Sequence, residues 1–304
     1  MNIEQLGSLT RIAGPEQRSK WPSSQSYLRV VPHEKEVNDL QRMKISIITA
    51  TFNSIRYIGG VLASIQQQKH RNVELIVIDG GSTDGTVELL QQSKLVTRIV
   101  SEPDNGIYDA LNKGIRLATG DIIGFLHSDD LLYSPTTLED VINTFNKKGE
   151  AKEPAKVDGV YGDLLYVNKI DTKKVIRYWK SCVFKPNHLN KGWMPPHSSL
   201  FIRHEVYEKH GLFDLQFHIS ADYEFMLRIF KDPTLHFEYI PEVITKMRVG
   251  GVSNRSIKNI IQKSKEDFLS MRKNKLHNVG LVLLMKNITK IPQFFNKKKS
   301  FVSI

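Results

Sequence analysis

The stretch Ile122-Ile123-Gly124-Phe125-Leu126-His127-Ser128-Asp129-Asp130 joins an apolar run to two adjacent carboxylates. The run 122–126 has the length and composition of a buried central strand, so Asp129 and Asp130 are predicted to lie where the chain leaves a sheet. Open α/β sheets bind ligands at this end of their strands. Adjacent carboxylates repel each other, and no Lys or Arg is near them in sequence. A hard divalent cation would suit them, although an Asp that caps the following helix is the alternative.

Three further apolar runs, 44–50, 73–78 and 95–100, precede this stretch and alternate with helical patterns. The alternation predicts an α/β fold with right-handed crossovers and a mainly parallel sheet. Asp79 follows the second run and is itself followed by Gly80-Gly81-Ser82-Thr83, which could approach a ligand or simply turn the chain into a helix. The chain contains neither G-x-G-x-x-G after a strand nor a Gly-Lys dipeptide, so a dinucleotide fingerprint and a P-loop are both excluded.

Cysteine usage and hydropathy bear on the compartment in which the chain works. The single cysteine, Cys182, cannot form an internal disulfide, which predicts a reducing, cytoplasmic setting and a buried structural thiol. The N-terminus lacks a signal-peptide pattern, and the longest apolar run towards the C-terminus is only 279–285. No membrane-spanning segment is expected.

The net charge of +11 is concentrated in one part of the chain. Residues 255–304 contain twelve Lys and Arg and two acidic residues, which leaves 44–254 neutral. A nucleic-acid-binding domain carries positive charge on the folded domain, so no nucleic-acid partner is expected. The tail, 257–304, combines apolar residues at helical spacing with lysines. It is predicted either to contact an anionic membrane peripherally or to pack as helices on the core.

Segments 49–53, 79–86 and 128–130 follow three of the predicted strands, and 102–114 and 221–224 lie between and beyond them. In order and spacing these segments resemble the family-two inverting glycosyltransferases of the GT-A type, over about residues 44–250. The resemblance implies a mainly parallel, Rossmann-like nucleotide-binding sheet flanked by helices. It also implies a smaller antiparallel ribbon on the acceptor side and a C-terminal helical tail.

The same resemblance implies an activity. Members transfer a sugar from a nucleotide donor, here expected to be a UDP-sugar, to a glycan or lipid-linked acceptor with inversion. The Gln-x-x-Arg-Trp signature of processive synthases is missing, which favours transfer of one sugar at a time. Two other functions share some of these features: a nucleotidyltransferase, and a catalytically idle binding protein with this fold. The joint presence of Asp79, Asp129, Asp130 and Asp222 favours the enzyme.

The resemblance assigns nucleotide-binding roles to individual residues. Phe52 matches the aromatic residue that packs on the base, and Asp79 matches the acid that hydrogen-bonds the uracil edge. Gly80 stands where many members have a second Asp, a departure that concerns contacts to the ribose. The other residues expected to contact the nucleotide are Thr51, Asn53, Gly81, Ser82, Asp109, Lys113, Ser128 and Asp129.

The catalytic roles follow in the same way. Asp129 and Asp130 match the aspartates that hold Mn²⁺ or Mg²⁺ against the diphosphate. His197 occupies the place of a further metal ligand in some members, although a histidine in such a loop is also an ordinary hydrogen-bonding residue. Asp222 matches the general base. Glu224, two residues later on the same helix, points elsewhere and is expected to act only on the helix dipole.

These observations predict three segments. Residues 1–43, polar and with several prolines, form a flexible or weakly docked extension. Residues 44–250 form the catalytic domain, with a nucleotide-sugar half at 44–133 and an acceptor half at 134–250. Residues 251–304 form the basic amphipathic helical tail.

Overall fold

The computed structural model describes residues 28–29, 43–146, 156–250 and 257–289. The first half contains β1 (Leu28–Arg29), β2 (Ile45–Thr51), α1 (Ile55–Gln66), β3 (Val73–Asp79), α2 (Thr86–Gln92), β4 (Val96–Ser101), α3 (Ile107–Leu117) and β5 (Ile122–Phe125). The second half contains β6 (Leu131–Leu132), α4 (Thr137–Phe145), β7 (Gly159–Val167), β8 (Val175–Trp179), β9 (Leu200–Arg203), α5 (His204–His210), α6 (Ala221–Phe230), β10 (Phe237–Arg248), α7 (Ile257–Lys273) and α8 (Val279–Ile288).

The described strands form one sheet in the order β1-β4-β3-β2-β5-β9-β7-β10-β6, with β8 paired to β7. Strands β4, β3, β2 and β5 run parallel, which confirms the predicted mainly parallel sheet. β7 and β8 form the predicted antiparallel ribbon. Because Thr51 pairs with Asp79 and Asp79 with Ser101, the carboxyl ends of three strands meet at one edge of the sheet.

The central strands are buried on both faces. Alternate residues of β2 enter two different apolar clusters: Ile48 lies in the one with α3 and α6, and Ile47 lies in the one with α1 and α4. Full burial of such a side chain contributes about 1.5–3 kcal/mol. Helices on both faces of parallel strands explain why the predicted strands are continuously apolar instead of alternating.

Three strands of the second half, β6, β9 and β10, are not predicted by the sequence pattern. β10 contains Pro241, and its register against β7 shifts between Tyr239 and Val243. Proline is tolerated within sheets at such irregularities, because it donates no ladder hydrogen bond. β6 and β9 have two and four residues, too few for a periodic signal.

The C-terminal helices pack against the sheet-containing part of the described chain. Met271 of α7 and Val282 of α8 are almost fully buried and join the cluster that contains α6. Gly192 has a φ of +70°, and a Cβ there would lie 2.5 Å from the Cβ of Lys286. α8 therefore lies directly against the turn Pro186–Lys191 and needs a glycine after it. None of the helices in the described ranges is long and apolar enough to cross a bilayer.

Other sequence predictions concern single residues or the chain ends. Cys182 is exposed, so the prediction of a buried thiol is wrong. It lies in the loop after β8, where its backbone carbonyl points inward and accepts a hydrogen bond from Tyr161. β1 pairs with β4 at the sheet edge. The rest of the extension before Met43, the predicted boundary at 251 and the lysines at 290 and 297–299 lie outside the described residues.

Candidate active site

Asp79 organises the loop after β3. It is fully buried, and its Oδ2 accepts hydrogen bonds from the backbone of Gly81 and Ser82 and from the Ser101 hydroxyl. Its Oδ1 accepts a hydrogen bond from the Ser82 hydroxyl. Gly81 has a φ of +87°, which a residue with a side chain rarely adopts. The observed contacts of Asp79 shape its own turn and tie it to the end of β4, so its contact with a nucleotide base stays a prediction.

The loops after β2 and β3 are tied together. The backbone of Asn53 donates to the Ser82 hydroxyl at 2.7 Å, and the Asn53 side chain accepts from the backbone of Thr83 at 2.9 Å. Thr51 is buried at the end of β2, and its hydroxyl has no hydrogen-bond partner among the described residues. These hydrogen bonds fix the loops after β2 and β3 against each other, at the edge of the candidate active site, without a ligand.

Phe52 and Asp104 flank Gly80 at the same edge of the candidate active site. The Phe52 side chain is 60% exposed, unusual for a large apolar residue and suited to stacking on a flat ring. A Cβ on Gly80 would lie 2.8 Å from Asp104 Oδ2 and 3.5 Å from the Phe52 ring. The carboxylate of Asp104 therefore occupies the space into which a side chain at position 80 would project. An acid is present beside Phe52 although position 80 is a glycine.

Asp109 and Lys113, both predicted to contact the nucleotide, contact each other at the start of α3. Lys113 Nζ lies 3.2 Å from Asp109 and 2.9 Å from Glu102. Asp109 also accepts a hydrogen bond from the backbone of Asn105. These bonds hold the loop between β4 and α3, and a direct nucleotide contact stays a prediction.

Asp129 and Asp130 lie just past the end of β5, as predicted. Ser128 is linked through its hydroxyl to Ser54, at 2.9 Å. Asp130 is 1% exposed, and neither of its carboxylate oxygens has a hydrogen-bond partner among the described residues. Burial and the neighbouring charge of Asp129 raise the pKa of Asp130 well above its ordinary value, although Ser198 and Arg248 act in the opposite direction.

Arg248, at the end of β10, brings a cation to this pair of carboxylates. Its guanidinium donates to the backbone carbonyl of Asp129 and lies over the ring of Tyr57, 5.3 Å from the centroid. Lys169 and Arg56 approach the same ring, at 5.5 and 5.7 Å. No Lys or Arg is close to the two aspartates in sequence. In the folded chain, however, β10 places Arg248 beside them.

His197 and His127 lie beside the aspartates. The ring of His197 packs 5.0 Å from Phe125 and 6.3 Å from His127. Neither Nε2 of His197 nor Nδ1 of His127 has a hydrogen-bond partner among the described residues. Burial lowers the pKa of His197 to about 4, against the opposing charge of Asp222, and burial also lowers the pKa of His127. Both imidazoles are therefore neutral at pH 7, the state that can coordinate a metal.

In the part of the chain that the structure describes, no three His, Cys, Asp or Glu side chains converge as a ready-made metal site. Asp129, Asp130 and His197, the predicted ligands, are thus not assembled as a set of three. The two carboxylates still fit a hard divalent cation, because Asp130 is buried with both oxygens unpartnered and Asp129 lies next to it. The remaining ligands would be diphosphate oxygens and water.

Asp222 lies in the first turn of α6 and is held by one of its two oxygens. Oδ1 accepts hydrogen bonds from the Tyr108 hydroxyl, at 3.0 Å, and from the backbone of Tyr223, at 2.8 Å. Burial, reinforced by the charge of Asp222, raises the pKa of Tyr108 well above its ordinary value, so the hydroxyl remains a donor. No described residue hydrogen-bonds Oδ2, which is the oxygen left to accept a proton.

Glu224, the neighbouring carboxylate, turns away from the cleft. It is 1% exposed and pairs at 2.7 Å with Arg228 of the same helix, and Asn274, directly after α7, donates to it at 3.3 Å. The hydrogen bond from Asn274 joins α6 to the C-terminal helices. Of the two acids in the first turn of α6, only Asp222 has a charge that raises the pKa values of His127 and His197, against the larger effect of burial.

The structure places four residues at the site that were not predicted from the sequence: Asp104, Tyr108, His127 and Arg248. The first two lie within the segment 102–114, and His127 is two residues before Asp129, so position in a motif could have singled them out. Arg248 has no local signal, because it reaches the aspartates only through the pairing of β10 with β6 and β7.

Comparisons with known proteins agree with this geometry. The model of the family "Glycosyl transferase family 2" matches residues 46–198, half of the chain. A PGL/p-HBAD biosynthesis glycosyltransferase of Mycobacterium bovis is 31% identical over 221 residues, covering 69% of this chain and 78% of the relative. An uncharacterized glycosyltransferase of Mycobacterium tuberculosis is 32% identical over 196 residues, covering 60% and 68%.

Solved structures of similar fold include the mannosyltransferase PcManGT of Pyrobaculum calidifontis in complex with GDP-Man and Mn²⁺. It is 19% identical with a TM-score of 0.57, over 84% of this chain and 73% of that one. S. aureus TarS in complex with UDP-GlcNAc is 15% identical with a TM-score of 0.55, over 81% and 73%. These likenesses support the GT-A fold. With the fold, the family model and the relatives in agreement, the chain belongs to glycosyl transferase family 2.

Proposed function

We propose that this glycosyltransferase moves one hexosyl or N-acetylhexosaminyl group from a nucleotide sugar, preferably a UDP-sugar, to a glycan or lipid-linked acceptor with inversion, in polysaccharide biosynthesis. The observation that carries the proposal is the way in which the two carboxylate oxygens of Asp222 are hydrogen-bonded. Its Oδ1 is held by Tyr108 and the backbone of Tyr223, no described residue hydrogen-bonds its Oδ2, and its charge acts on His127 and His197. A carboxylate held in this way is suited to act as a general base.

The donor half of the cleft has the features that a nucleotide diphosphate needs. The exposed ring of Phe52 offers a stacking surface for the base, and Asp104 offers a carboxylate beside it. Asp129 and Asp130 would hold Mn²⁺ or Mg²⁺. When bound there, the cation would supply Lewis-acid stabilisation of the charge that develops on the leaving diphosphate. Two structural neighbours form complexes with GDP-Man and Mn²⁺ and with UDP-GlcNAc, which supports a nucleotide-sugar donor without fixing its base.

In this mechanism Asp222 removes the proton of the acceptor hydroxyl. The acceptor hydroxyl attacks the anomeric carbon from the face opposite the leaving diphosphate, and Asp222 Oδ2 removes its proton as the new bond forms. Such proton transfer contributes about 10²–10⁴ in rate. The two donors on Oδ1 keep the carboxylate oriented until the hydroxyl arrives.

We also propose peripheral membrane contact through the tail, at the cytoplasmic face. Support comes from α7 and α8, where six side chains are about half exposed although they are large and apolar: Ile260, Ile261, Leu269, Leu281, Leu284 and Ile288. The opposite face of α8 packs on the core through Val282. An apolar face beside many lysines fits an anionic bilayer surface.

The test is a screen of nucleotide sugars with simple glycan acceptors and Mn²⁺ or Mg²⁺. Release of nucleoside diphosphate together with a glycoside of inverted anomeric configuration, read from NMR couplings, is the expected result. Release of pyrophosphate would instead identify a nucleotidyltransferase. Nucleotide binding without turnover of any donor would identify an idle binding protein.

A further inference from the structure

The start of α6 is held by a carboxylate from a distant helix. Glu266 of α7 is 2% exposed, and its Oε2 accepts hydrogen bonds from the backbone N–H groups of Ile219, at 2.7 Å, and Ser220, at 2.9 Å. Ser220 is the N-cap of α6, but its side chain makes no capping hydrogen bond. The N–H groups at a helix start need acceptors, and a negative charge there is favoured by the helix dipole. Glu266 supplies both.

The same backbone segment is joined to the base. The Tyr108 hydroxyl lies 2.9 Å from the carbonyl oxygen of Ile219 and 3.0 Å from Asp222 Oδ1, so one donor serves both acceptors. The peptide group that links Ile219 and Ser220 is therefore hydrogen-bonded at both ends: its N–H donates to Glu266, and its carbonyl oxygen accepts from Tyr108. A shift of this peptide would move Tyr108 or break its bond to Asp222.

We infer that Glu266 is a positioning residue for Asp222: by fixing the backbone of 219–220, it sets the geometry in which Tyr108 orients the base. The inference rests on the proposed function, in which Asp222 takes the acceptor proton. It makes α7 part of the catalytic apparatus, although Glu266 lies more than forty residues after the base in the chain. Displacements of about 1 Å in a reacting group can cost roughly 10²-fold in rate, so a residue that touches no substrate can still control kcat.

The adjacent residue provides a matched control. Asp267 is as deeply buried as Glu266, but it pairs with Lys263 and Lys286 within the C-terminal helices, and no hydrogen bond or ion pair joins it to 219–220 among the described residues. Asp267→Asn therefore weakens the packing of α7 and α8 without touching the segment before the base. Glu266→Ala removes the acceptor of two backbone donors, whereas Glu266→Gln keeps a carbonyl oxygen that can accept from them.

The experiment compares these variants with Tyr108→Phe and Asp222→Asn at a temperature where all are folded. Glu266→Ala should lower kcat roughly 10- to 100-fold with the donor KM within about twofold of wild type, since only the orientation of the base is lost. Glu266→Gln should recover much of kcat. Asp267→Asn should lower the midpoint of unfolding but keep kcat. Combined with Tyr108→Phe, Glu266→Ala should add little further loss, because both changes act through one peptide group.

Hydrogen exchange gives a readout that needs no turnover. The amides of residues 219–222 should exchange faster in Glu266→Ala than in Asp267→Asn. Wild-type kcat, or wild-type exchange at these amides, in Glu266→Ala would overturn the inference. The inference would also be overturned if the double variant lost kcat by the product of the losses in the Glu266→Ala and Tyr108→Phe single variants. Undiminished transfer by Asp222→Asn would overturn the base and the inference together, whereas an inactive Asp222→Asn beside a fully active Glu266→Ala would overturn the inference alone.

Discussion

Replacing Asp267 with Asn should cost the protein much of its stability at neutral pH. Asp267 Oδ2 lies 2.6 Å from Lys263 Nζ and 2.9 Å from Lys286 Nζ, and Lys286 is itself 2% exposed. Burial alone would raise the pKa of Asp267, but the charges of Lys286 and Lys263 outweigh it and lower the pKa to about 2. The ion pairs thus stabilise the packing of α7 and α8 on the catalytic domain.

The magnitude follows from that pKa. A fall from 3.8 to about 2 corresponds to about 2 kcal/mol of stability at pH 7. Because the pKa is depressed in the folded state, this stability is fully present above the unfolded value and is lost as pH falls through the folded one. About half remains at pH 3. Asn also leaves the buried Lys286 without its carboxylate, which brings the expected loss to about 3–5 kcal/mol at pH 7.

Urea unfolding followed by circular dichroism measures this directly. Asp267→Asn should unfold at lower urea than wild type, with a deficit that shrinks as the pH is lowered from 7 towards 3. Lys263→Met, which removes the partner whose side chain is 26% exposed, should cost less. Adding Lys286→Met to Asp267→Asn should restore part of the loss, because the buried ammonium that lost its carboxylate partner is then removed. Equal stability of Asp267→Asn and wild type, or a deficit independent of pH, would refute the packing of α7 and α8 described above.

Three further predictions concern the donor, the cation and the membrane. Asp104→Ala should raise the donor KM roughly 10-fold with little change in kcat, because a hydrogen bond to a charged group contributes about 1.5–3 kcal/mol; an unchanged KM in a steady-state assay would exclude Asp104 from donor binding. EDTA should abolish turnover, and Asp130→Asn should lose most cation-dependent nucleotide binding in calorimetry; full activity in EDTA would remove the cation from the account. Leu281→Asp with Leu284→Asp should release the protein from anionic vesicles, as should 1 M salt, while donor hydrolysis persists; equal co-sedimentation of variant and wild type would contradict the membrane contact.

Point variants suit the membrane test better than removal of the tail. α7 contributes Met271 to the core and Glu266 to the start of α6. Truncation near 251 would remove both. A loss of activity in such a truncated chain would therefore report on packing, not on the membrane.

The nucleotide half could be predicted from sequence because its signals are local. β2, β3 and β5 are short apolar runs buried on both faces, and each ends in a polar loop. The positions of Asp79 and Asp129 at the sheet edge follow from that pattern alone. A mainly parallel sheet then brings the loops together without further information.

The second half could not be predicted in the same way, because its contacts join residues far apart in the chain. β10 pairs in parallel with β7 across a bulge at Pro241, and this pairing carries Arg248 to Asp129. The packing of α7 on α6 carries Glu266 to the backbone before Asp222. Neither partner leaves a periodic or motif signal near the residue on which it acts.

The most direct test of the account is the transfer rate at saturating donor for Asp222→Asn beside Glu224→Gln, measured as nucleoside diphosphate released in the presence of acceptor. Asp222→Asn should lower the rate about 10²–10⁴-fold with donor affinity nearly intact, because the base acts in the transition state. Glu224→Gln, whose carboxylate is buried against Arg228, should retain most of the rate and lose stability instead. Wild-type transfer by Asp222→Asn, or a larger transfer defect in Glu224→Gln, would contradict the assignment of Asp222 as the base.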